Sequence, residues 1–95
     1  MKKGIKFDIE KDQWTLVPWE VMKDVASVMT HGAQKYSPDN WKYVKPIDRY
    51  FDACMRHIVA WRNGERLDPE TQKNHLVHAI CCLLFLTWRD NNGGE

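Results

Sequence analysis

Apolar and polar positions follow two different rhythms along this chain. Near the start, Ile5, Phe7 and Ile9 alternate with charged residues, and Trp14 and Leu16 resume the alternation after Lys11-Asp12-Gln13. A period of two predicts a short strand or an extended arm, here laid by its apolar side onto the elements that follow. From Pro18 the spacing becomes helical. Trp19, Met22, Val25, Ala26 and Met29 share one face of a helix that Pro18 opens and His31-Gly32 closes. Residues 33–46 are rich in turn residues, with Ser37-Pro38-Asp39-Asn40 the clearest signal. Pro46 then opens a second helix with the stripe Ile47, Tyr50, Phe51, Cys54, Ile58 and Trp61, and Gly64 ends it. Pro69 opens a third, from about Glu70 to Arg89, apolar on nearly every side between Leu76 and Leu86 apart from His78. That helix is expected to be central and buried. The pattern predicts an all-α protein: a small helical bundle of three main helices over residues 18–90, an N-terminal extended arm over 1–17 and a frayed tail over 91–95.

Composition narrows what such a bundle does. A chain of 95 residues, 43% hydrophobic and 28% charged, is one folded domain with a modest core. A net charge of +1 argues against a general nucleic-acid or membrane-surface binder. Five Trp residues and a third helix apolar all round predict that some surface is covered by further copies, so a homo-oligomer is expected. Cys54, Cys81 and Cys82 show no CxxC spacing and fall in apolar runs, as reduced thiols of a cytoplasmic protein do. No apolar leader follows Met1, and the longest apolar run, Ala79–Leu86, is far shorter than the ~20 residues that cross a bilayer. Phosphate-loop, dinucleotide, hydrolase-elbow and zincin signatures are all absent.

Candidate chemistry gathers around the second turn. His57 lies seven residues before Gly64 and His75 six after Pro69. Each is then about 10 Å from the turn at 1.5 Å rise per residue, so the two helices hold them level. Glu65, Asp68 and Glu70 fall in or beside the loop, and His78 shares a helix face with His75. This is a candidate metal or proton-transfer site. The structural alternative is that Asp68 caps the third helix, Glu70 answers its dipole and the histidines are satisfied core residues. A second candidate is the loop bearing Lys35, Tyr36, Asn40, Trp41 and Lys42. It has the cations and aromatics to grip a phosphate and stack a base, or else it is a surface loop anchored by its aromatics.

Two segments resemble family motifs. GAQKYSPDNWK (residues 32–42) is similar to a GAxKY…NW motif, and RHIVAWRNGERLDPET with the later HLVHA resembles RHxxAxxxGExxDxE…HLxHA. In this order they resemble the phage dATP/dGTP diphosphohydrolase N-terminal domain family, a relative of the all-α MazG-like nucleotide pyrophosphohydrolases. Gln72 stands where the motif is expected to carry glycine. The resemblance implies divalent-metal-dependent hydrolysis of purine deoxynucleoside triphosphates to monophosphates, controlling the nucleotide pool in the cytoplasm of an infected cell. It implies Mg or Mn on Glu65 and Asp68, with His57 and His75 as further ligands. Co or Zn is the softer alternative that histidines favour. It further implies Glu65, Glu70 and His78 as catalytic groups, and Lys35, Tyr36, Asn40, Trp41 and Arg56 as the substrate contacts. The competing expectation is a nucleotide-binding protein of the same ancestry that does not cleave, for example one sequestering a host-defence signalling nucleotide.

Overall fold

A computed structural model of the chain describes residues 3–94. Among these the regular elements are three helices, α1 (Trp19–Lys35), α2 (Asp48–Arg62) and α3 (His75–Asn91), with short 3-10 turns at Trp14–Leu16 and Asn40–Lys42. The all-α bundle expected from the apolar spacing is what forms, with one isolated antiparallel bridge, Leu67 to Asn74, and no strand among the described residues.

α3 is the central element, with α1 and α2 packed against it. Val25 and Val28 of α1 meet Val77 and Cys81 of α3, flanked by Met22, Met29, Ile80 and Phe85. On the other side Cys54 of α2 meets Ala79 and Cys82 of α3. Small side chains there bring α2 close enough for the Cys54 thiol to approach the Ala79 carbonyl at 3.7 Å. Burial pushes the Cys81 thiol up to about 11 and Cys82 up to about 12, so these cysteines are packing groups rather than nucleophiles. α3 is not covered all round, since Leu83 and Leu84 are exposed.

Three boundaries differ from the expected ones. α1 does not stop at Gly32. It runs to Lys35 and ends before Ser37-Pro38, because the residue before proline is driven out of helical geometry. The three added residues put Lys35 one turn beyond His31. α2 starts at Asp48 rather than Pro46. α3 starts at His75, five residues later than Glu70, and its N-cap is Asn74, whose side chain accepts the Leu76 amide at 2.8 Å. Residues 65–74 are instead a closed loop. The bridge fixes its ends through Asp68 N to Lys73 O at 2.8 Å and His75 N to Arg66 O at 2.9 Å. Gly64, at φ 101°, lets α2 end in a doubly bonded cap: Gly64 N to Trp61 O and Glu65 N to Ala60 O, both 3.0 Å. At the other end of α3, Asn92 and Gly94 return to the Arg89 carbonyl at 3.1 and 2.7 Å. Glu95, the last residue of the expected tail, lies outside the described residues.

Gln72 has φ 59°, the left-handed conformation that glycine adopts freely. The place where the motif expects glycine is therefore a backbone requirement of the loop, and Gln72 meets it under strain, partly offset by its Nε2 bond to Pro69 O at 3.1 Å. Gln72→Gly is expected to gain up to about 1 kcal/mol, and Gln72→Val to lose more than that, as a β-branched residue resists this region. Urea midpoints of the two variants check this; an unchanged midpoint for Gln72→Val would remove the strain.

The arm does not pack onto the helices as expected. Phe7 and Ile9 are 91% and 92% exposed, and residues 3–13 form no helix or strand. Alternation alone does not supply a partner, and α3 already receives α1 and α2. Met1 and Lys2 of the expected arm lie outside the described residues.

Candidate active site

The helix–loop–helix brings the histidines together as expected, but not by the expected helical rise on the α3 side, because His75 is the first residue of α3 and residues 65–74 are loop. The His57 ring stacks on His78 with centroids 4.5 Å apart and tilts against His75 at 5.1 Å. Around them runs a chain of polar contacts. Glu65 Oε1 lies 2.6 Å from His75 Nε2, and His75 Nδ1 lies 2.8 Å from His57 Nδ1. His78 Nε2 meets Thr71 Oγ1 at 2.7 Å, with Asp68 Oδ2 at 3.7 Å. Asp68 Oδ2 accepts the amides of Glu70 and Thr71, each at 3.0 Å. Asp68 thus caps the turn of its own loop and not α3. His57, Asp68 and His75 form a set whose ligand atoms lie within 4.8 Å of one another. Two imidazoles and a carboxylate in that arrangement are a donor set for a divalent ion.

The protonation states suit that role. Burial lowers the His57 pKa, and the neighbouring His78 and His75 lower it further. Burial also lowers His78, against the opposing pull of Asp68. Both rings are therefore neutral at pH 7, the form that binds metal or accepts a proton. Burial works to raise the Asp68 carboxyl, but the amide bonds from Thr71 and Glu70 and the nearby His78 together hold it below its usual range. A folded-state pKa below 6.5 means that folded chains bind fewer protons than unfolded ones just under that pH, so stability falls as the pH drops through this window. Asp68 adds a loss of the same sign further down. In chelator, the melting temperature is expected to hold between pH 7 and 8 and to decline from about pH 6.5 downward. A flat melting temperature to pH 5 would show that these histidines are not held neutral by the fold.

A cleft of about 670 Å³ opens against this cluster, within the range of small-molecule sites. His57, Asp68 and His78 form one wall; Tyr50, Cys81, Cys82 and Phe85 supply an apolar floor. His31, Lys35, Tyr36 and Asn40 line the side made by α1 and the loop after it, and Arg56 reaches it from α2. The wall and the rim, far apart in sequence, share one space.

A family model described as "dATP/dGTP diphosphohydrolase, N-terminal" matches residues 1–95. The chain belongs to that family. The dATP/dGTP diphosphohydrolase of Salmonella phage PMBT28 is 38% identical to it over 89 residues. Those residues are 94% of this chain and 30% of that phage protein, so the chain spans under a third of the relative's length. No solved structure matches the chain.

Set against the family motifs, the residues singled out fall into three places. His57, Asp68, His75 and His78 converge, with Glu65 behind His75, away from the cleft lining. Glu70 lines the cleft but is engaged by α1: His31 Nε2 lies 2.7 Å from its Oε2 and Lys35 Nζ 3.2 Å from its Oε1. The His31 bond first, then Lys35, lowers the Glu70 pKa, and Glu70 in turn raises that of Lys35. The two rim aromatics differ. Trp41 stacks on Phe85 at 4.8 Å and meets Trp88 edge-on at 5.2 Å, so it anchors the loop to α3. Tyr36 is exposed at the cleft, with Lys35 Nζ 5.5 Å from its ring. His31 and Thr71 are the site residues that sequence reasoning passed over. His31 read only as a helix-ending base, yet its spacing of four from Lys35 would have shown the shared face had the helix been extended.

Proposed function

We propose that the chain hydrolyses purine deoxynucleoside triphosphates to monophosphates with the help of a divalent metal, as part of nucleotide-pool control in the cytoplasm of an infected cell. The observation that carries this reading is the single cleft joining the His57–Asp68–His78 wall to the cationic and aromatic rim of Lys35, Tyr36, Asn40 and Arg56. The name of the phage relative, a dATP/dGTP diphosphohydrolase, supports the substrate class.

In this reading the base lies against the apolar floor with Tyr36 as the stacking ring, because Trp41 is committed to Phe85 and Trp88. Lys35 and Arg56 neutralise the phosphates, Lys35 exchanging Glu70 for phosphate oxygen. Water attacks the α-phosphorus, the bond from that phosphorus to the bridging oxygen breaks, and pyrophosphate leaves. Neutral His78 accepts the proton of the attacking water. His57, Asp68 and His75 would hold the ion, which when bound would supply charge neutralisation and lower the pKa of the attacking water. Exposed Phe51, Met55 and Val59 on α2, with Leu83 and Leu84 on α3, support a homo-oligomer, which sedimentation at micromolar concentration tests. No described helix is long and apolar enough to cross a membrane.

Incubation with each of the four deoxynucleoside triphosphates and Mn²⁺ or Mg²⁺, followed by chromatography, tests the reaction. Monophosphate and pyrophosphate in equal amounts, fastest from dATP and dGTP, are expected. The second reading is binding without cleavage, for which the rim of Lys35, Tyr36, Asn40 and Arg56 is sufficient. A nucleotide-induced rise in melting temperature with no product would select it.

A further inference from the structure

The family resemblance implies a hard ion held chiefly by Glu65 and Asp68. The side chains are not arranged that way. Glu65 is absent from the set whose donor atoms converge, and its Oε1 is turned to His75 Nε2 at 2.6 Å. A carboxylate oxygen accepts, so Nε2 of His75 is the donor of that contact, which leaves a lone pair at Nδ1. That lone pair faces His57 Nδ1 at 2.8 Å. His75 is only 4% exposed and anchored at the first turn of α3, so the ring has little freedom to turn elsewhere. Two nitrogens sharing one ion at ~2.1 Å each can be no more than about 4.2 Å apart, a condition this pair meets. Asp68 supplies the third donor. Its bonds to Glu70 and Thr71 all use Oδ2, so Oδ1 is not committed to the turn, and a carboxylate oxygen lies within 4.8 Å of the two histidine nitrogens.

The geometry points to a transition-ion site formed by His57, His75 and Asp68, in which Glu65 is a positioning residue acting through His75 and not a ligand. This rests on the preceding reading only in assigning the metal to the cleft wall. Two imidazole nitrogens with one carboxylate oxygen select Mn²⁺, Fe²⁺, Co²⁺ or Zn²⁺. Mg²⁺ prefers oxygen and retains its waters, so the donor set fits it poorly. A carboxylate behind a ligating histidine fixes the tautomer and strengthens the ring as a donor, and losing such a group typically costs 10–100-fold in metal affinity.

The test uses the full 95-residue chain stripped with chelator, Co²⁺ as the probe, visible absorption as the readout and no nucleotide. Wild type is expected to take up one Co²⁺ per chain that excess Mg²⁺ does not displace. Glu65→Gln keeps an oxygen that can accept from His75, so affinity should fall about 10-fold, and Glu65→Ala nearer 100-fold. In both, the spectrum of the bound ion should keep its shape, because all three donors remain. His57→Ala should lose the spectrum while melting cooperatively; if it fails to fold, the Mg²⁺ competition and the Glu65 variants still decide. A spectrum reshaped by Glu65→Gln would make Glu65 a ligand. Displacement by equimolar Mg²⁺, or no Co²⁺ uptake by folded wild type, would equally overturn the inference. Turnover with Mg²⁺ by a chain that takes up no Co²⁺ would sink this inference and leave the proposed reaction standing. Co²⁺ uptake without turnover would do the reverse.

Discussion

Asp68→Asn is expected to fold normally and to lose nucleotide hydrolysis by at least about 100-fold, the upper end of what even an outer-shell change costs a metal site. The two roles of Asp68 make different demands. In the loop, Oδ2 accepts from the Glu70 and Thr71 amides and from Thr71 Oγ1 at 3.3 Å. The amide oxygen of asparagine accepts the same bonds with less charge assistance, so about 1 kcal/mol is lost. Since α3 is capped by Asn74, its start is untouched. Beside His57 and His75, by contrast, the negative charge itself is needed to hold a cation. A melting curve and a turnover assay on one preparation separate the two demands. Wild-type turnover in a well-folded Asp68→Asn protein would remove Asp68 from the chemistry.

The largest loss of stability is expected from Arg89→Ala. Arg89 is 5% exposed near the end of α3, and its Nη1 donates to the carbonyls of Trp41 at 3.0 Å and Val44 at 2.7 Å. One guanidinium thus ties the segment after α1 to the central helix, next to the stacked pair Trp41 and Phe85. Truncation leaves two partly buried carbonyls without this donor and opens a void, costing about 3 kcal/mol. That is a large part of the stability of a small domain. Arg89→Lys should recover only part of it, since an ammonium lacks the rigid fork of donors. Urea unfolding measures the loss. Retention of the wild-type midpoint by Arg89→Ala would mean that the aromatic stack alone holds the loop. Because the loop walls the cleft, the surviving folded fraction should also show a raised KM with kcat less affected.

Part of the bundle could be read from spacing because burial is periodic: Met22, Val25 and Met29 of α1, Cys54 and Ile58 of α2 and much of the α3 run do pack, while Trp19, Phe51 and Trp61 of the expected stripes are exposed and Val28 joins the core instead. Helix ends were less readable, because they turn on single residues whose conformation depends on distant partners. Gln72 has nothing in its side chain that announces φ 59°, so α3 seemed to start at Glu70. Gly32 resembles a stop signal, yet the helix continues through it to the proline-directed break. At the site, the meeting of His57 and His75 followed from their flanking one turn, although the count of helical rise did not apply to His75, the first residue of α3. The division of labour between the two ExxD carboxylates did not follow. Which of them faces the histidine pair and which stands behind it depends on the doubly bonded end of α2, which turns Glu65 back toward α3.

That closed α2–loop–α3 turn has an evolutionary consequence. Every polar group of the cluster comes from residues 57–78, a contiguous module latched at its own base by the Leu67–Asn74 bridge. The rim, apart from Arg56, comes from α1 and the segment after it. On the proposed function, chemistry and recognition are therefore encoded in separable stretches of the gene. Substitutions between residues 31 and 41 can retune which molecule is held while the reactive module stays unchanged, and recombination between the two stretches can pair one module with a new rim in a single event.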